Sequence, residues 1–180
     1  MHGVVRNAVV LGLALCLLTG GETIAADEHG QPLRSGAFEL GMGGSVTSAE
    51  GATTAMFRLQ AGTFRSAGTA LIEYGGGVSY STVSDLDILD FEATVGALWR
   101  LDDSSTWALI NVTGAVRQEW VGSFSQVRYP VGFGAGFKVL ASHRAAGTLT
   151  YEYRRILDDP VRAINEHRVV VGLSILFRNE

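Results

Sequence analysis

The sequence predicts an all-β chain whose eight antiparallel strands run up and down and close into one barrel. Three observations predict it. Apolar and polar residues alternate with a period of two through most of the chain after residue 35. Glycine is abundant, at 23 of 180 residues, and proline is scarce, at 3, which suits curved, closely packed strands better than helices. The apolar face of each alternating run carries no charge.

The runs are taken in order. In 36–46, Phe38, Leu40 and Met42 oppose Glu39, Gly41, Gly43 and Ser45. In 54–63, Phe57 and Leu59 oppose Arg58 and Gln60. In 69–81, Ile72, Tyr74, Val78 and Tyr80 oppose Glu73, Gly75, Gly77 and Ser79. In 89–101, Phe91, Val95 and Trp99 oppose Asp90, Glu92, Thr94 and Arg100. In 106–117, Ile110, Val112 and Val116 oppose Asn111, Thr113 and Arg117, while Trp107 and Leu109 interrupt the polar face. In 127–139, Tyr129, Val131, Phe133 and Phe137 oppose Arg128, the glycines 132, 134 and 136, and Lys138. In 148–154, Leu149, Tyr151 and Tyr153 oppose Thr148, Thr150, Glu152 and Arg154. In 168–177, Val169, Val171, Leu173, Ile175 and Phe177 oppose Arg168, Gly172 and Ser174.

The polar faces therefore carry Glu39, Arg58, Glu73, Asp90, Glu92, Arg100, Arg117, Arg128, Lys138, Glu152, Arg154 and Arg168. Alternation alone does not say which face looks inward. A soluble barrel places large apolar side chains inside; a transmembrane barrel turns them to lipid and its polar residues to the lumen. The polar faces here are mixed in sign and rich in glycine, so they fit a lumen of eight strands, which is just wide enough for side chains. Charges in such a lumen must pair, because isolated buried charges are very costly. The intervals between runs suggest longer loops at one end and shorter turns at the other. Aromatic residues fall near the run ends, with Tyr80, Phe91, Trp120, Phe124 and Tyr129 towards one rim and Phe64, Trp99, Trp107 and Phe177 towards the other, as amphipathic rings do at membrane interfaces. Closure follows from physics: in hydrocarbon every backbone amide needs an internal partner, and an open sheet edge leaves a row of them without one.

The N-terminus reads as a secretory signal. Arg6 is its basic residue, Ala8 to Leu18 form an apolar stretch, and Ala25 and Ala26 precede Asp27. That stretch is shorter than the ~20 residues of a spanning helix; an uncleaved anchor is the alternative. The organisation expected is a signal peptide at 1–26, a short flexible lead at 27–35, and a barrel at 36–180. The single cysteine, Cys16, lies in the signal stretch, so the mature chain has no disulfide or thiolate chemistry.

The pattern from Gly36 to Phe177, and its closing run Val169-Val-Val-Gly-Leu-Ser-Ile-Leu-Phe177, resembles the small outer-membrane barrels of the OmpA-like and OmpX-like type. The Tyr151-Glu-Tyr-Arg-Arg155 run, followed by Asp158-Asp159, also looks like the salt-stress-induced outer-membrane protein family. These resemblances imply a bacterial outer-membrane location, lipid and lipopolysaccharide as surroundings, insertion by the barrel-assembly machinery, and a structural or surface-interaction role. Both termini would lie in the periplasm. A monomer is expected.

Catalytic signals are sparse. Outer-membrane lipid A deacylases carry a His-x-Ser pair on a late strand; the nearest approaches here are Ser142-His143 and Glu166-His167, the latter expected in the last loop. Adjacent residues on a strand point to opposite faces, so neither pair is preformed for nucleophilic attack. The four histidines offer no standard zinc spacing, and Asp85, Asp87, Asp158 and Asp159 read as solvated loop acids. No cofactor is called for, and a net charge of −4 gives no electrostatic case for nucleic acid. The chain is expected not to be an enzyme. The alternatives are a lipid A deacylase and a soluble periplasmic barrel of lipocalin type. Signal cleavage is tested by the intact mass of the exported protein, which should begin at Ala26 or Asp27.

Overall fold

The computed structural model describes residues 33–101, 105–157 and 164–177. The expected signal peptide, 1–26, and residues 27–32 of the lead lie outside the described residues. Nine strand segments follow one another: β1 (Phe38–Ala49), β2 (Ala52–Ala67), β3 (Ala70–Val83), β4 (Leu86–Arg100), β5 (Thr106–Val121), β6 (Phe124–Arg128), β7 (Pro130–Ser142), β8 (Ala145–Ile156) and β9 (Asn165–Phe177). β6 and β7 are one strand interrupted at Tyr129: both pair with β5, and Arg117↔Arg128 and Gly114↔Val131 keep a single register. Pro130 has no amide to donate there. The result is eight antiparallel strands, each paired with its sequence neighbour. β1 closes on β9 through Phe38↔Phe177 to Ala49↔Glu166.

Polar and apolar parity settles which face is inward. Phe57, Val112, Phe133 and Ile175 are 54%, 64%, 63% and 56% exposed, whereas Glu39, Asp90, Glu152, Arg154 and Arg168 are at most 1% exposed. A soluble ligand-binding barrel would show the reverse, so the lipocalin alternative is overturned. The outward apolar column of β9, from Phe177 to Val169, belongs to a band that surrounds the barrel.

The strands outrun their expected limits, and the expected alternation of long loops and short turns is not kept. Five connections are two-residue turns: Glu50-Gly51, Gly68-Thr69, Ser84-Asp85, Gly122-Ser123 and His143-Arg144. Longer intervals separate only Arg100 from Thr106 and Ile156 from Asn165. The reason is that alternation fades where a hairpin rises beyond the apolar band, and polar residues there can stay in the ladder because water wets them. Positive φ closes the first of these turns, with Glu50 at 47° and Gly51 at 84°, as a primed two-residue turn requires.

One end of the barrel, where the described chain begins at Leu33 and leaves β9 at Phe177, is called the near end; the opposite end is the far end. Two aromatics expected at the near-end membrane rim instead point inward: Phe64 is 1% and Trp107 6% exposed. They pack with Leu33, Leu71, Leu98, Leu109 and Leu176 into an apolar floor across the near end. This explains why Trp107 and Leu109 interrupt a polar face. Leu33, from the expected flexible lead, is 1% exposed, and Gly36 N donates to Phe64 O at 2.8 Å.

Glycine sets how tightly neighbouring strands pack. A Cβ on Gly136 would collide with the Leu149 carbonyl oxygen, and one on Gly132 would meet the Tyr153 carbonyl at 2.5 Å; at Gly114 a Cβ meets nothing within 4 Å. Gly136→Val should therefore destabilise the barrel by about 1–3 kcal/mol, while Gly114→Ala should be near neutral. Urea titration of the refolded protein, read as loss of the fast-migrating folded band, checks both.

Candidate functional site: the charged lumen

Seven carboxylates and six cations meet inside the barrel, contributed by inward-facing positions of all eight staves. They form three levels above the floor.

The level nearest the floor is a triad. Lys138 Nζ donates to Glu39 Oε2 at 2.6 Å and to Glu73 Oε2 at 3.1 Å, and it sits 4.8 Å from the centre of the Phe64 ring. These three residues come from β7, β1 and β3, so the lysine ties walls that share no backbone bond. Gln60 Nε2 donates to the other oxygen of Glu39 at 3.4 Å. With two carboxylates and one ammonium, this level carries one formal negative charge.

The middle level centres on Glu92. Arg58 Nη2 lies 3.0 Å from its Oε2, Arg168 Nη1 donates to Oε1 at 2.5 Å, and Arg154 Nη1 lies 3.6 Å away. Ser79 Oγ adds a bond of 3.2 Å. Glu152 stands 4.0 Å from Arg168 Nε. Three guanidiniums face two carboxylates, an excess of one positive charge.

The far level centres on Arg117. Its Nε and Nη2 donate to the two oxygens of Asp90 at 2.7 and 3.0 Å, and its Nη1 and Nη2 donate to the two oxygens of Glu166 at 2.5 and 3.1 Å. Such paired N–H···O contacts are the strong form of the interaction and fix orientation. Arg154 bridges down from Asp90 at 3.2 Å, and Arg128 Nε donates to Glu119 Oε2 at 3.0 Å. Sign thus alternates along the axis, negative, positive, negative.

Between the triad and the Glu92 level lies a cavity of about 40 Å³, lined by Glu39, Glu73, Lys138, Arg58, Glu152 and neighbouring polar side chains. Three buried oxygens without a hydrogen-bond partner, Asn111 Oδ1, Thr148 Oγ1 and Glu152 Oε2, belong to residues that line it. A polar space of this size suits two or three waters.

Eleven of the twelve charged residues expected in the lumen are brought together in these levels. Arg100 lies apart from these levels, at the near end of β4, opposite Trp107 and partly exposed. Two members were missed. Glu119 lies two residues beyond Arg117, and Glu166 two residues before Arg168, so both share the inward parity of residues already assigned to it. Glu166-His167 is not in a loop, as expected, but in β9: Glu166 points in to Arg117 and His167 points out. Asp87 is also in a strand, where it accepts a 2.9 Å bond from the Tyr80 hydroxyl. Asp158 and Asp159 lie outside the described residues. No metal-holding group of His, Asp or Glu occurs among the described residues.

Removing one partner of a buried ion pair leaves the other uncompensated. Arg117→Ala would strand Glu166 and leave Asp90 with Arg154 alone, and should cost about 3–5 kcal/mol. Arg65→Ala, on the outer wall, should change stability by less than about 0.5 kcal/mol. Equilibrium unfolding of both variants in the same lipid vesicles makes the comparison.

No family model matches the chain, and no curated protein matches it. Solved structures do. The N-terminal β-barrel domain of Pseudomonas aeruginosa OprF aligns with a TM-score of 0.65 at 10% identity, covering 81% of this chain and 100% of that one. Neisserial surface protein A aligns at 0.57 and 14%, covering 78% and 96%. The attachment invasion locus protein of Yersinia pestis, Ail, aligns at 0.54 and 16%, covering 79% and 99%. At these identities the likeness is one of fold: this chain has the closed eight-stranded barrel of small outer-membrane proteins.

Proposed function

We propose that the chain is a non-enzymatic bacterial outer-membrane barrel that supports envelope integrity or surface interaction, with lipid and lipopolysaccharide as its surroundings and a lumen closed by its own side chains. One observation carries this reading: the interior is packed with paired charges above an apolar floor, with a polar cavity of about 40 Å³ among them. A pore needs a continuous wet path, and the floor of Leu33, Phe64, Leu98 and Trp107 blocks it at the near end. The near end, where β1 begins and β9 ends, faces the periplasm, the side from which an exported chain reaches the membrane. β9, with its outward Val169, Ile175 and Phe177, is the strand offered to the assembly machinery. A monomer suffices, because closure leaves no sheet edge to pair.

Non-enzymatic status is supported by the surroundings of the two described histidines. His143 occupies a two-residue turn, and His167 shares a 2.6 Å hydrogen bond with the hydroxyl of Tyr151 rather than with a serine.

Three measurements test the proposal. The protein should fractionate with the outer membrane and run as a heat-modifiable band. Refolded protein in planar bilayers should give no stepwise conductance. Lipid A from cells with and without the protein should have the same masses. A soluble periplasmic protein, reproducible conductance steps, or a loss of acyl chains would each overturn the corresponding part.

A further inference from the structure

The lipid-facing wall is apolar through its middle and turns polar towards its rims; at the far end β3 and β4 present Tyr80 and Asp87, β5 and β6 present Gln118 and Ser125, and β8 and β9 present an aromatic and basic set. Near the far end, the outward columns of β8 and β9 change from Leu149 and Val169 to Tyr151, Tyr153 and Arg155 on β8 and to His167 and Asn165 on β9. The registers Tyr153↔His167 and Arg155↔Asn165 make these side chains immediate neighbours. They form an organised surface. Tyr151 and His167 share their 2.6 Å hydrogen bond, the Tyr153 hydroxyl donates to Asn165 Oδ1 at 2.8 Å, and the Tyr153 ring meets His167 edge-on at 5.5 Å and Phe133 at 5.6 Å. Two tyrosines thus hold the histidine and the asparagine in place, while Arg155 stands exposed beside them.

Depth gives this surface its meaning. From Phe177 to His167 is ten residues, about 33 Å along a strand, which becomes about 25 Å along the axis at a tilt of about 40°. That equals the height of the apolar band of an outer-membrane barrel, about 25 Å. His167, Asn165 and Arg155 therefore stand at the level of the lipid headgroups, with Tyr151 and Val169 just below among the acyl chains. Charge is also uneven around this rim. Arg155 is the one outward-facing arginine at the far end among the described residues, whereas the β3–β4 hairpin presents Asp85 in its turn and Asp87 on β4 there.

We infer that the β8–β9 face binds the phosphorylated headgroup of a lipopolysaccharide molecule in the outer leaflet, with Arg155 and His167 contacting the phosphate, Asn165 and Tyr153 contacting the sugar, and Tyr151 and Phe133 seating the acyl chains. A guanidinium suits phosphate because its planar donors match two oxygens at once. Aromatic rings with polar tips suit the boundary between sugar and chain. The inference rests on the outer-membrane reading above.

The test uses the full mature chain folded in detergent micelles, titrated with lipid A bearing its phosphates and with the same lipid A after phosphatase treatment. The phosphorylated form should bind about tenfold more tightly, and it alone should move the imidazole resonances of His167 in NMR spectra. The double variant Arg155→Ala, His167→Ala should bind both forms equally, at the level of the dephosphorylated one. Arg65→Ala, an exposed arginine at the near rim, should bind like the unaltered protein. Arg155→Gln provides a second, milder variant that should lose most of the phosphate preference. Equal binding of the two lipids by the unaltered protein, or an undiminished preference in the variants, overturns the inference. Because each variant is also checked for its heat-modifiable band, such a result is distinct from failure of the barrel itself.

Discussion

A sheet that stands in hydrocarbon has no water to bond its edge, and this single requirement shapes the rest of the molecule. β1 must meet β9, and it does so through twelve residue pairs, from Phe38↔Phe177 to Ala49↔Glu166. Eight staves make a cylinder so narrow that its interior must be filled by side chains. Because the outward positions are given to lipid, the alternate positions are polar by default, and the filling consists of ions. Glycines then relieve the crowding where a side chain would strike the neighbouring backbone, as Gly136 would strike Leu149.

The ion pairs do more than neutralise one another. Lys138 joins β7 to β1 and β3, and Glu92 joins β4 to β2, β8 and β9. Backbone bonds connect each strand only to its neighbours; these side chains connect walls that face each other. Buried ion pairs are weak sources of net stability, since desolvation offsets much of the attraction. Their effect here is geometric. A one-residue slip of any strand would turn its ions to lipid and its apolar residues to the lumen, so the charges fix the register of the closed sheet.

Most of this was legible in the sequence, because period-two alternation reports the facing of each residue directly. Parity placed Glu39, Asp90, Lys138, Arg154 and Arg168 on one wall, though which residues meet across 99 positions, as Lys138 and Glu39 do, depends on the stagger of strands and not on any local signal. The strand limits were read too short because polar residues such as Thr53 and Glu166 look like loop residues, yet they continue the ladder where the hairpins leave the membrane. Glu119 and Glu166 were lost with those ends. Phe64 and Trp107 misled for a different reason: aromatic rings near a strand end suit an interfacial belt and an internal floor equally well, and only their even or odd position along β2 and β5 separates the two. The β8–β9 surface was not visible, because it joins residues from two strands through a register that no sequence interval reveals.

In the proposed orientation, with the near end towards the periplasm, the turns at the far end have a consequence for life at the cell surface. Three of the four connections there, at Glu50-Gly51, Ser84-Asp85 and Gly122-Ser123, are only two residues long. A protease must draw several extended residues into its cleft, and an antibody needs a protruding loop or a broad face to grip. Tight hairpins whose amides are already paired offer neither, so at these three places the rim gives an attacker nothing to hold.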